Sequence, residues 1–391
     1  MPVRRYRFAA RRNTVGLSQE QLAEHLSVDR STVGRWESGE TKPQPWIRPR
    51  LARVLQVSAD QLDALLTTAP AVGDDSERLD HALAHPGGAD LVTVAHLRQQ
   101  VHELDERYVH VPSTLLLADT GRCLGQVGFL TAQARNHVVR RELCQVQAEA
   151  AVLMGQLVWD ASQRRDHASA HAYLDEAIEA GRQCGHQALE GLALLRKSMI
   201  ALYGEKNPDR GKTIALHAAE TARSASTVLR ALAILHAAEA YAMLGQATSC
   251  EKALQDAERQ LGRISGTDAA IALHSPGVLG RMAGSCYLSL SDPRRAQPLL
   301  EQTSAALCDQ SKSHAIVLGN LALASVQLGD LDAAAGRLHE ATIDLTELNW
   351  GGGGLNIIFT AGRALLPWRT APVVRDVHDR LLGLMAATQG T

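Results

Sequence analysis

Apolar positions along this chain recur at the three- and four-residue steps of amphipathic helices. Near the start, Leu22, Ala23 and Leu26 form one apolar face, and Val33 with Trp36 forms another at the spacing that packs it back on the first. Ser18 and Gln21, three residues apart, read as a capping box that satisfies orphan N–H groups at a helix start. Ser27-Val28 supplies a turn, and Asp29 is placed to cap the helix after it. Two short helices joined by a tight turn are predicted. Farther on, Leu91, Val94, Leu97, Val101, Leu104 and Tyr108 mark a longer amphipathic helix. Its stripe is expected to pack on the helices that follow rather than to form a dimer seam.

From about residue 111 the chain is rich in Ala, Leu and Gln, reads as helices without a convincing strand, and repeats. A small-large-small triplet occurs at Ala170/Leu174/Ala177, Ala215/Ala219/Ala222, Cys250/Leu254/Ala257, Ala296/Leu300/Thr303 and Ala334/Leu338/Ala341, at intervals of 45, 35, 46 and 38 residues. Stacked helical hairpins need small residues where helices approach and larger ones between them, so the repeat predicts an α-solenoid. In the clearest unit Gly284 and Tyr287 pair with Ala296 and Leu300; another pairs Ala238 and Tyr241 with Cys250 and Leu254. LGQATS, LSDPRR and LGDLDA read as the turns between helices. Residues 67–90, with TTAPAVGDDSE and HPGGAD, are rich in Pro, Gly and Asp and poor in apolar residues. The expected organisation is therefore all-α, with a first domain at 1–66, a linker at 67–90 and a helical repeat domain at 91–391.

Length and composition agree with two units, since 391 residues exceed one ordinary domain and 45% hydrophobic content suffices for a core. With neither an opening signal peptide nor an apolar run of about 18 residues, a cytoplasmic protein without membrane contact is expected. The six Cys are far apart with no CxxC pair, and are expected to be reduced, mostly buried thiols. Aromatic content of 4%, with three Phe, argues against a stacking platform for single strands. His167 and His171 share a helix face but show no third metal ligand, and the 16 His read as scattered surface residues. The glycine run Gly351–Gly354 lacks the GxxxxGK[ST] pattern and reads as an inter-helix loop. No nucleophile elbow, kinase set or paired catalytic carboxylates can be placed. No enzyme activity, cofactor or metal is expected.

The formal net charge is −2, yet residues 1–66 hold 11 Lys+Arg against 7 Asp+Glu. Arg4, Arg5, Arg7, Arg11 and Arg12 precede the two short helices, and Arg48, Arg50 and Arg53 follow them. As a set they are expected to meet phosphates. Val33 and Trp36 leave Arg30, Ser31, Thr32 and Arg35 on the outward face of the second helix. Such a division suits a recognition helix in the DNA major groove, where Arg bonds bidentately to guanine while Ser and Thr read less selectively. Arg30 and Arg35 are expected on bases, and Gln19 and Lys42 on phosphates. Gly34, which costs about 1 kcal/mol against Ala inside a helix, reads as a point of close backbone approach to DNA. The segments SQEQLAEHL, RSTVGRWESGETKP and LARVLQVSADQLDALL strongly resemble the XRE family of lambda-repressor-like regulators over roughly residues 4–66. The resemblance implies five short helices, with Gln19, Arg30, Ser31, Thr32 and Arg35 facing double-stranded DNA.

The repeats resemble degenerate tetratricopeptide repeats, and the layout is similar to that of Gram-positive peptide-sensing regulators and of actinobacterial XRE regulators. The excess of Arg, with Lys42 the only lysine before Lys197, looks like a GC-rich genome. A solenoid of this kind binds peptides or protein segments on a concave face built from the first helix of each hairpin. His236, Glu239, Arg281, Ser285, Asn320 and Gln327 are expected to project there, with the Asn320 amide offering donor and acceptor to an extended peptide. The reading is a homodimeric, sequence-specific DNA-binding transcriptional regulator whose repeats sense a peptide or small molecule, nucleoid-associated when on DNA. The alternative is an adaptor whose repeats bind another regulator and whose first domain tethers it to DNA.

Overall fold

The computed structural model describes residues 5–66, 72–108, 111–307, 312–348 and 353–389, which are helices and turns with no strand among the described residues. Two compact units divide the chain. One comprises Met1–Arg107, Ala118–Leu153 and Glu179–His186; the other comprises Tyr108–Leu117, Met154–Ile178 and Gln187–Thr391.

The first unit opens with five short helices, α1 (Tyr6–Thr14), α2 (Gln19–Leu26), α3 (Arg30–Glu37), α4 (Arg48–Val54) and α5 (Ala59–Leu66). Phe8, Leu22, Leu26, Val33, Trp36, Ile47, Leu51 and Leu62 form their common core, each large apolar side chain contributing about 1.5–3 kcal/mol by leaving water. The capping box at α2 is present: Ser18 Oγ accepts from the Gln21 N–H at 3.1 Å, and the Ser18 N–H donates to Gln21 Oε1 at 2.7 Å. Ser58 and Gln61 repeat the device at the start of α5, at 2.8 and 3.1 Å. Ser27 closes the turn after α2 in the left-handed region, φ 57°. Asp29 stands at the N-cap of α3, but its side chain makes no capping bond. Its main-chain carbonyl instead accepts from the Thr32 N–H at 2.9 Å.

Within residues 67–90, expected as a linker, Val72–Ala84 forms α6, while 67–71 lie outside the described residues. Leu79 and Ala82 are buried there and Glu77, Arg78 and Asp80 exposed, a short amphipathic period that the flanking Pro and Gly obscured. In α7 (Leu91–Tyr108) the expected stripe is buried from Leu91 to Leu104. Ala95 joins the core of the five short helices, so α7 packs directly on them. α8 (Leu117–Gln133) and α9 (His137–Ala161, through Leu153) complete this unit with the end of α10 (His167–Gln183).

The second unit continues through α11 (Gln187–Met199), α12 (Pro208–Thr221), α13 (Thr227–Met243), α14 (Ala247–Leu261), α15 (Val278–Ser289), α16 (Pro293–Ala306), α17 (Lys312–Leu328), α18 (Leu331–Leu348), α19 (Gly353–Ala364) and α20 (Pro372–Gln389). α11/α12, α13/α14, α15/α16 and α17/α18 pack as hairpins, and α11, α13, α15, α17 and α19 stack on one another in order. This is the nearest-neighbour architecture of an α-solenoid. Every residue of the five small-large-small triplets is buried, on α10, α12, α14, α16 and α18, with Ala222 just past the end of α12. A π-helical turn, Ile200–Gly204, extends α11. Cys308, Gly351 and Gly352 lie outside the described residues; Cys123, Cys144, Cys184, Cys250 and Cys286 are buried free thiols.

The close approach of first and second helices sets a sharp requirement at Gly284. A Cβ there would fall 2.5 Å from Cγ and Cδ2 of Leu300, whose side chain is fully buried. Gly284→Ala is expected to lower stability by about 1–3 kcal/mol through overpacking, with part of the loss recovered when Leu300 is also replaced by Ala. Gly34 is the opposite case, since an added Cβ meets nothing within 4 Å. Gly34→Ala is expected to gain up to about 1 kcal/mol from helix propensity. Shifts in urea midpoint at constant m-value separate the two outcomes.

Candidate functional site

The geometry of α3 follows from what holds its buried face. Val33, Trp36 and Glu37 are buried, while Arg30, Ser31 and Arg35 are exposed and Thr32 is half-exposed. Glu37, only 3% exposed, accepts from Arg12 Nε at 2.6 Å and from Gln19 Nε2 at 2.6 Å. Arg12 also donates to the Leu17 carbonyl at 2.6 Å. One carboxylate thus joins α1, α2 and α3. Arg5 donates to the carbonyls of Trp36 at 2.7 Å and Thr41 at 2.5 Å, which fixes the chain leaving α3.

These partners correct the assignment of the first arginines to phosphates. Arg5, Arg11 and Arg12 are 4%, 3% and 8% exposed. Arg11 donates through Nε to the Leu55 carbonyl at 2.8 Å and pairs with Glu142 at 3.6 Å, which also pairs with Arg98 at 3.3 Å. A buried guanidinium is costly unless its donors are matched, and here, apart from Arg5 Nε, which is buried without a partner, the donors named are spent on carbonyls and carboxylates. Arg4 and the side chain of Arg7 lie outside the described residues. Arg50 and Arg53 are exposed, and Arg48 pairs with Asp63 at 2.9 Å. Gln19 gives one of its two amide N–H groups to Glu37, and Lys42 is exposed. Arg30 meets Glu20 at 3.3 Å with both side chains 66% exposed. A surface pair of this kind is worth at most about 1 kcal/mol, so Arg30 can exchange it for a base edge.

A helix buried on one face by Val33 and Trp36 and lined on the other by two arginines and two hydroxyls, entered through a tight turn from a capped helix, decides the character of this segment. Residues 5–65 match the helix-turn-helix domain family. Within the matched residues α2 and α3 form the helix-turn-helix pair. No curated protein matches the chain. Nine solved chains match. One is Bacillus thuringiensis PlcR in complex with the peptide PapR7 and DNA, at 14% identity over 76% of this chain and 91% of that one, with a TM-score of 0.32. A likeness this loose leaves the architecture resting on the helix packing itself. Among the described residues no helix is long and apolar enough to cross a membrane.

In the second unit the structure brings together four of the six residues expected on the concave face. His236 and Glu239 on α13 and Ser285 on α15 share a hydrogen-bonded network with Tyr203 of the π-turn, and Arg281 on α15 adds positive charge beside it. Ser285 donates to Glu239 Oε1 at 2.6 Å; the Tyr203 hydroxyl lies 2.7 Å from His236 Nδ1 and also meets Glu239 Oε2. Tyr203 has one proton. Given to the carboxylate, it leaves the phenol oxygen to accept from Nδ1–H of a neutral His236. Burial, with Arg281 and Arg196 nearby, pushes the His236 pKa down to about 3. Asn320 is buried in α17, and Gln327 donates to the Leu288 carbonyl at 3.3 Å, bridging α17 to α15. Tyr203 was missed because a π-turn shifts it out of the helical period. His167 Nε2 contacts the Arg164 carbonyl at 2.8 Å and His171 Nε2 contacts Glu205 at 2.9 Å, so the two rings serve different partners.

Two measurements follow from these networks. Glu37→Ala strands the buried Arg12, and is expected to cost about 3–5 kcal/mol of stability with loss of DNA binding at a temperature where the wild type binds. Denaturant unfolding and electrophoretic mobility shift, run side by side, test it. His236 is neutral in the fold and protonates near pH 6.5 when unfolded. The unfolded state therefore binds more protons as pH falls below about 6.5, and stability declines toward pH 3 at up to about 1.4 kcal/mol per pH unit. His236→Gln should flatten that slope, as read from urea midpoints between neutral and mildly acidic pH.

Proposed function

We propose that this chain is a homodimeric, XRE-type transcriptional regulator that reads double-stranded DNA through α3 and receives a peptide or small-molecule effector in its repeat unit. The observation that carries the reading is the exposed face of α3, where Arg30, Ser31 and Arg35 stand free of the core on a helix whose other side is locked by Glu37. Arg35 and Arg30 would bond base edges in the major groove, Ser31 and Thr32 would supply less selective contacts, and Lys42 would meet the phosphate backbone. Gln19 donates one amide N–H to Glu37 and would give its second N–H to a phosphate oxygen.

Dimerisation supports selectivity by simple geometry. An eight-residue helix is roughly 12 Å long and reaches only a few base pairs, so two half-sites are needed for an operator. On the effector side, the solenoid's stacked first helices and the polar network at Tyr203, His236 and Glu239 support a binding face. An effector changes DNA affinity only as far as it binds two arrangements of the protein unequally.

Selection of DNA sequences by the purified full-length protein, followed by competition at fixed salt, tests the reading. Arg30→Ala and Arg35→Ala are each expected to cost about 1–3 kcal/mol on the selected site and to relax its preference. Lys42→Ala is expected to weaken all sequences similarly and to reduce the salt slope by about one. Unchanged preference in both Arg variants removes α3 as the reading helix. A response to effector that appears only with a second macromolecule present moves the chain to the adaptor class.

A further inference from the structure

A cavity of about 250 Å³ lies in the second unit, walled by Trp159 at the end of α9, Leu174 of α10, Met199 and Ile200 at the end of α11, and Ile316 of α17. α11 and α17 stand three hairpins apart in the stack, so an occupant touches helices that are distant in the order of repeats. The polar part of the wall is Arg196, Gln156 and the group Tyr108, Asp160 and Arg164, with Gln156 hydrogen-bonded to Tyr108.

That second group is internally satisfied. Arg164 pairs with Asp160 at 3.3 Å and its guanidinium lies 4.3 Å over the Trp159 ring. The Tyr108 hydroxyl donates to Asp160 Oδ2 at 2.5 Å, and burial beside that carboxylate raises the phenol's pKa, keeping it a neutral donor. Arg196 differs. Its Nη1 reaches only the thioether sulfur of Met199, at 3.8 Å, a weak acceptor, and its Nε is buried without a partner. Trp159, 4% exposed, also buries its Nε1 without a partner. A buried N–H left unbonded has lost its hydration without a replacement. Two such donors, one belonging to a cation with no carboxylate of its own, line the same cavity.

We propose that this cavity binds the carboxylate of a ligand whose remainder is apolar, with Arg196 and Trp159 donating to the carboxylate and Met199, Ile200 and Ile316 packing on the hydrocarbon part. The proposal rests on the reading that the repeat unit receives an effector, and it names that effector's chemistry. A planar guanidinium fork and an indole N–H lining one cavity supply donors for the two oxygens of a carboxylate. One unspent cation among apolar walls fits a single negative charge better than a phosphate dianion, whose second charge would be desolvated without a partner. The volume lies just below the roughly 300–1,000 Å³ of sites for drug-sized ligands, which suits one small organic acid or one terminal residue of a peptide. Because the walls come from hairpins far apart in the stack, occupancy would set the spacing of the repeats.

The test uses DNA-free, full-length protein and two matched pairs of probes in titration calorimetry: 3-phenylpropionate against 3-phenylpropionamide, and N-acetyl-Leu-Phe against its C-terminal amide. At least one acid is expected to bind below roughly millimolar concentration, with its amide weaker by about tenfold or more. Binding by the first acid alone indicates a small-molecule ligand, and binding by the second alone a peptide terminus. Arg196→Gln should weaken the acid about tenfold or more while leaving the amide unchanged. Ile316→Trp, which fills the cavity from the α17 wall, should abolish binding of both with the helical circular dichroism signal retained. The proposal is overturned if neither acid binds at roughly millimolar concentration, if acid and amide bind alike, or if Arg196→Gln binds as the wild type does. Operator affinity with and without the bound acid then separates the two readings: binding that leaves DNA affinity unchanged keeps the carboxylate site and removes its role as effector.

Discussion

A guanidinium withdrawn from water must find acceptors for its donors, and the first unit is organised around that demand. Consecutive residues Arg11 and Arg12 turn to different carboxylates, Glu142 and Glu37. The Arg12 branch ties α1 to the end of α3 and, through Gln19, to the start of α2. The Arg11 branch ties α1 to α9 and, through the shared Glu142, to Arg98 on α7. Breaking either carboxylate leaves a buried charge without compensation, a far greater penalty than the pair's net worth when intact. The orientation of α3 and its connection to α7 and α9 therefore depend on two buried acidic side chains.

This arrangement changes how a signal within the first unit would reach α3. A loose tether transmits nothing by itself, whereas Ala95 in the core of the five short helices and the Arg11–Glu142–Arg98 link make α7 and α9 part of the same packed body. Packed interiors respond by discrete rearrangement rather than by gradual deformation. A shift in α7 or α9 would be felt at α1, and through Arg12 and Glu37 at α3.

The second unit meets a different constraint, the distance between helices. Alanine, glycine and cysteine at the triplet positions and at Gly191 and Gly284 allow backbones to approach, and larger residues such as Leu300 fill the space left opposite. Cohesion is supplied by that packing, which leaves polar residues on the first helices available for other roles. One polar cluster, around Glu239, closes on itself with Tyr203, His236 and Ser285. The donors of Arg196 and Trp159 remain unspent. Buried donors are normally paired, so the two clusters differ: one is satisfied and the other leaves donors without partners.

The elements legible from sequence were those whose cause is local. Capping at Ser18, the turn at Ser27, the apolar stripes of α2, α3 and α7, and the small residues of α10, α12, α14, α16 and α18 each arise from neighbours three or four positions apart, so periodicity alone revealed them. The exposed face of α3 was legible for the same reason: once Val33 and Trp36 are inward, Arg30, Ser31 and Arg35 are outward. Whatever depends on partners distant in the chain was hidden. Arg5, Arg11 and Arg12 read as a basic patch because the acceptors at Trp36, Glu142 and Glu37 lie 25 to 131 residues away. The brief period of α6 was masked by the Pro and Gly around it, and Tyr203 by the π-turn that carries it. The cavity at Trp159 and Arg196 has no sequence signature at all, because its walls come from α9, α11 and α17 and exist only after the hairpins have stacked.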